Sequence, residues 1–206
     1  MSLTTSLQNQ LAHNPWPASA EKVIFLLDTT RRFERQLLEN WIALHTNQSI
    51  GHTIESLDLR DDREALNVAA LAEALQQYPN ATVAPLRVSW LRAERGTSSG
   101  PRLRDVLSGG ERRPPGWLAD RVARLNPERV HLTIGEPGAN KDLAARFQGK
   151  TGLSAANEPE DFAVFVARQA AVVIDIAERQ LIVAATKCPA MFTKAFAITV
   201  PSRLLC

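Results

Sequence analysis

The chain has 206 residues, 45% hydrophobic and 22% charged, with two cysteines and a formal net charge of +2. That is enough chain to bury a core without disulfides, and Cys188 and Cys206 form neither a disulfide framework nor a metal-ligand spacing. No window reaches the roughly 18 uninterrupted apolar residues of a spanning helix, and Met1–Gln10 lacks the basic and apolar regions of a signal peptide. The expectation is therefore a cytoplasmic protein in a reducing compartment, with any membrane contact peripheral.

Residues 1–20 are polar, with Pro15-Trp16-Pro17 near their end, and read as a flexible leader. Val23–Leu27 is apolar at every position, which suits a strand covered on both faces. Asp28, Thr29 and Thr30 follow as cap residues, and Phe33, Leu37, Trp41 and Leu44 recur behind them at helical spacing. A helix N-terminus just past a strand, with Arg31 and Arg32 in its first turn, is a weak phosphate-site signal. There is no glycine-rich turn, and the cationic side chains oppose the helix dipole.

Ile54–Leu59 is the next predicted strand, and Asp61-Asp62 then opens a helix through Leu66, Ala70, Leu71, Ala74 and Leu75. Val83–Leu91 is the third strand, with Leu86–Leu91 its firmest part because Pro85 donates no ladder bond and belongs at a start, bulge or edge. Arg92–Pro115, rich in Gly, Pro and Arg, reads as loop. Trp117–Leu125 is a short helix, Val130–Ile134 a fourth strand, and Asn140 caps a helix over Lys141–Phe147. Glu158–Lys187 is the longest helix, capped by Asn157. One stripe of it holds Phe162, Phe165, Val166, Ala170, Val173, Ile176 and Ala177, while Val164, Val172, Ile174 and Ile182 lie off that stripe. The predicted architecture is α/β: a small, mainly parallel sheet flanked by helices over residues 21–150, a long helix over 157–187, and a tail over 188–206.

Charge is uneven along the chain. From Arg87 to Arg129 ten arginines face five acids, so this span carries +5 and the remainder −3. Such a span suits anionic lipid through surface attraction; with one tyrosine in the whole chain, stacking on bases is poorly provided for and nucleic acid is the weaker partner.

Several blocks carry a family resemblance. P-L-R-V-S-W-L-R-A-E-R-G at Pro85–Gly96 is similar to a block in the N-terminal region of actinobacterial glycerol-3-phosphate acyltransferases. L-R-D-V-L at Leu103–Leu107, N-P-E-R-V-H-L-T-I-G-E-P at Asn126–Pro137 and D-F-A-V-F-V-A-R-Q-A at Asp161–Ala170 follow in the same order. The resemblance covers Val23 to about Pro189 and implies phospholipid biosynthesis at the cytoplasmic membrane. There the family transfers an acyl group from acyl-CoA or acyl carrier protein to the 1-hydroxyl of glycerol 3-phosphate.

The resemblance also implies where the chemistry lies. The family's catalytic H-x-x-x-x-D pairs a histidine base with an orienting aspartate, and none of His13, His45, His52 and His131 has an aspartate at that spacing. His131 has Glu136 there, but alternation along V-H-L-T-I turns it away from Val130 and Leu132, as a solvent-facing strand residue. E-R-G-T-S-S-G at Glu94–Gly100 is similar to the family's phosphate-binding E-G-T-R-S but stands in a different block. Cys188, with only Lys187 beside it, reads as a buried small residue. No catalytic, cofactor or metal residue is assigned. The reading is a non-catalytic N-terminal region, as in a copy cut before its catalytic domain, with that domain and an anionic membrane surface as partners. The competing reading is an independent α/β module that docks anionic lipid or nucleic acid through its arginine-rich span.

Overall fold

The computed structural model describes residues 22–29, 31–46, 53–59, 66–91, 116–125 and 129–187. In chain order the elements are β1 (Lys22–Leu27), α1 (Arg32–Thr46), β2 (Thr53–Asp58), α2 (Val68–Gln77), β3 (Thr82–Trp90), α3 (Gly116–Leu125), β4 (Val130–Ile134), β5 (Gly138–Ala139), α4 (Asn140–Thr151) and α5 (Pro159–Lys187). The sheet order is β2-β1-β3-β4, with β5 also on β3. β1 pairs parallel with both β2 and β3, as the strand–helix alternation requires.

The other two pairings make the sheet mixed. β5 is antiparallel to β3. The Leu91 N–H donates to Arg129 O at 2.7 Å and the Gly135 N–H to Pro85 O at 2.8 Å, so β4 also runs against β3. Pro85 lies inside a central strand, not at a start or edge. Its carbonyl takes the Gly135 N–H, so its ladder side faces the break at residues 135–137 between β4 and β5, where a missing donor leaves no ladder bond unmade.

Contacts divide the described residues into two compact units, one within 22–88 and 133–180, the other within 89–132 and 181–187. The boundaries fall within β3, β4 and α5. The predicted leader and tail lie outside the described residues.

In the first of these units alternation along β1 sends Val23, Phe25 and Leu27 to one face and Ile24, Leu26 and Asp28 to the other. Phe25 meets Trp41 of α1 edge-on, with ring centroids 5.8 Å apart. Ile24, Leu26 and Val83 share the opposite core with Leu71 and Leu75 of α2, Leu143 and Phe147 of α4, and Phe162, Ala163, Val166, Ala167 and Ala170 of α5. In the second unit Trp90, Ala119, Ala123 and Val130 are buried.

Helix faces and ends differ from the periodicity reading. α1 buries Glu34, Leu38, Trp41 and Ile42 and leaves Leu44 exposed, because Trp41 seats on Phe25 and selects the neighbouring apolar column. α2 begins at Val68, after Asn67; Asp61 and Asp62 lie outside the described residues. α5 buries Ala163, Ala167, Ala170 and Ile174 and exposes Val172 and Ile176, since small side chains let the helix approach the sheet closely. Glu158 O accepts the first helical bond, from the Phe162 N–H at 3.0 Å, so the cap position is Glu158 and not Asn157.

Asn140 is the first residue of α4, not its cap. Its side-chain amide donates to Leu75 O at 2.9 Å and Tyr78 O at 3.0 Å, supplying carbonyls at the end of α2. α4 ends at Gly152, whose φ of 74° is the left-handed conformation glycine adopts without strain.

Candidate functional site

The chain leaves β1 through α1 to reach β2 on one side, then returns through α2 to β3 on the other. This reversal is a topological switch point, and in open α/β sheets ligands bind in the crevice outside the carboxyl ends of the strands there. Here the carboxyl end of β1 meets the interior of β3, and the protein's own charges come together. Leu27 pairs with Leu86, so the next residues, Asp28 and Arg87, come side by side, and the Asp28 N–H donates to Leu86 O at 2.8 Å.

Both side chains are buried, and Arg87 uses its donors on three carboxylates. Its Nε donates to Asp28 Oδ2 at 2.7 Å, and its Nη2 to the same oxygen. Its Nη1 donates to Asp175 Oδ1 at 2.5 Å and Glu178 Oε2 at 3.0 Å, both on α5. Burial opposes the charge on Arg87, but attraction to Asp28, hydrogen bonds to Asp175 and Asp28, and the Glu178 charge outweigh it and raise the pKa above the usual guanidinium value. One cation among three carboxylates is a clamp joining β1, β3 and α5. It contains no nucleophile–base pair.

Gly135 completes the packing beside it. A Cβ there would lie 2.6 Å from Pro85 Cγ, 3.1 Å from Val173 Cγ1 and 3.4 Å from the Ile174 backbone nitrogen. Glycine is thus required by close approach of a proline ring and a helix, at an ordinary backbone conformation.

The residues singled out from sequence are distributed as follows. Arg31 Nη1 stands 3.8 Å from Glu34 Oε1, and Arg32 is exposed. His131 is half-buried on β4, and Glu136 is exposed. His13, His52, Glu94–Gly100 and Cys188 lie outside the described residues, and of His45 only the helical backbone is described. Among the described residues no group of three or more His, Cys, Asp or Glu is arranged to hold a metal ion.

Of the ten arginines in the Arg87–Arg129 span, Arg87, Arg121, Arg124 and Arg129 are described. Arg87 is in the clamp, and Arg129 is 3% exposed with its Nε donating to Leu91 O at 2.9 Å. These two arginines are interior residues and no part of a basic surface. Sequence reasoning missed the clamp, although a signal was present: Arg87 interrupts an apolar strand, Asp28 ends another, and Asp175 and Glu178 interrupt an apolar helix. Opposite charges placed separately in apolar settings indicate a buried pair.

Comparison with protein-family models, curated proteins and solved structures yields no match. Among the described residues no helix is long and apolar enough to cross a membrane.

Proposed function

We propose that the chain serves as the non-catalytic N-terminal α/β region of a glycerol-3-phosphate acyltransferase. It acts with a catalytic domain that transfers the acyl group from acyl-CoA or acyl carrier protein to the 1-hydroxyl, on the inner face of the cell membrane. The observation that carries this reading is that the blocks bearing the resemblance pack on one another. Pro85 of P-L-R-V-S-W-L lies against Gly135 of T-I-G-E-P, and α5, which contains D-F-A-V-F-V-A-R-Q-A, reaches both Gly135 and Arg87. Residues that pack inward in this way suit a scaffold. Acyl transfer needs a base beside the acceptor hydroxyl, and general-base assistance contributes about 10²–10⁴-fold.

Two measurements with labelled glycerol 3-phosphate and palmitoyl-CoA test the proposal. The purified chain alone is expected to form no lysophosphatidate, and an actinobacterial acyltransferase whose matching region is replaced by residues 21–187 of this chain is expected to form it. Product made by the chain alone and lost in His131→Ala would refute the non-catalytic reading. A folded chimaera without activity would refute the family reading.

A further inference from the structure

α5 carries a second apolar surface away from the one it buries. Phe162, Val166, Ala170 and Ile174 are buried, whereas Val172 and Ile176 are 53% and 48% exposed. With Gln169 and Arg179 these two side chains recur at 3-4-3 spacing, which sets all four in one column along the helix, the seam by which two helices pair. Gln169 is half-buried and Arg179 exposed, and the four lie in the same compact unit, that of residues 22–88 and 133–180. The bonds from Arg87 to Asp175 and Glu178 hold the helix in the rotation that turns this column outward.

The order of side chains in the seam determines what fits on it. Read in either direction it runs polar, apolar, apolar, polar. Two copies lying antiparallel about a two-fold axis level with Ile174 set Val172 of each against Ile176 of the other, and Gln169 of each against Arg179 of the other, where the glutamine amide oxygen accepts from the guanidinium. A parallel pair would set Arg179 against Arg179, like charge on like. An anionic lipid surface fits less well, because Asp175, next to Ile176, has 51% of its side chain exposed on this helix.

We infer that the outward face of α5 is a self-association surface, and that its occupant is α5 of a second copy of this chain in antiparallel register. One helix pair is a small interface, so the dimer is weak and forms at high concentration. The inference does not depend on the acyltransferase reading.

Sedimentation of the full chain over a range of concentrations tests it, with circular dichroism to establish that each variant is folded. Val172→Glu sets a carboxylate against Ile176 on both sides of the axis, and Ile176→Lys sets an ammonium against Val172. Each alone is expected to weaken association at least about tenfold. Mixed in equal amounts, the two variants place the introduced carboxylate opposite the introduced ammonium on one side of the axis and keep Ile176 against Val172 on the other, so the dimer returns. In a parallel pair the introduced groups would not stand opposite each other, and mixing would restore nothing. A wild-type chain still monomeric at about 1 mM overturns the inference, since weaker contact is no specific interface. So does a folded variant that associates as the wild type does, or a mixture of the two that stays monomeric. Should one variant fail to fold, the other still decides whether this face carries the association.

Discussion

The charged residues at the end of β1 and in β3 depend on each other to remain buried. Asp28 is 3% exposed and Arg87 6% exposed, and neither position would accept a lone charge. Arg87→Met removes the buried cation that faces Asp28, for which the expected loss is about 3–5 kcal/mol in denaturant unfolding. Gly135 fails differently when changed, through space and not charge. Gly135→Ala drives a Cβ into the Pro85 ring, at an expected cost of about 1–3 kcal/mol. Because Pro85 Cγ is the nearest atom, Pro85→Ala in the same chain should recover a large share of that loss. A double-mutant cycle measures this, and additive losses would show that the clash is relieved elsewhere.

At the scale of elements, the contacts that fix helix ends are made between helices. Asn140 opens α4 yet supplies the carbonyls of Leu75 and Tyr78 at the end of α2, while being 4% exposed. Asn140→Ala removes both donors from a buried place, so a loss of about 1–3 kcal/mol is expected. Hydrogen exchange should locate the change in the last turn of α2 as well as the first turn of α4. A change confined to α4 would mean that the link between the helices contributes nothing. The pairing of β3 with the break between β4 and β5 follows the same logic, since a proline inside a central strand is tolerated where its ladder side faces an interruption.

For the molecule as a whole, the arginine-rich span is expected to bind anionic vesicles weakly and in a salt-sensitive way. Surface attraction is screened within about 8 Å at physiological salt, and Arg87 and Arg129 are withdrawn into the interior. Sedimentation at low salt should show more chain with anionic than with neutral vesicles, and an Arg121→Gln/Arg124→Gln variant, altering two exposed positions, should sediment less with them. Equal sedimentation with both vesicle types would end this expectation. The α/β class, the strands and helices of the sheet layer and the position of the long helix were all legible in the sequence. Continuous apolar runs between turn residues and the 3.6-residue period are local properties that each segment carries by itself. Tertiary structure alone decided which apolar column of α1 and α5 turns inward, why Pro85 sits in a central strand, and that Asn140 serves α2. It also joined Asp28, Arg87, Asp175 and Glu178, which lie up to 150 positions apart in the chain. No local pattern states which strand neighbours which, and that adjacency determines whether a charged residue meets water or its opposite.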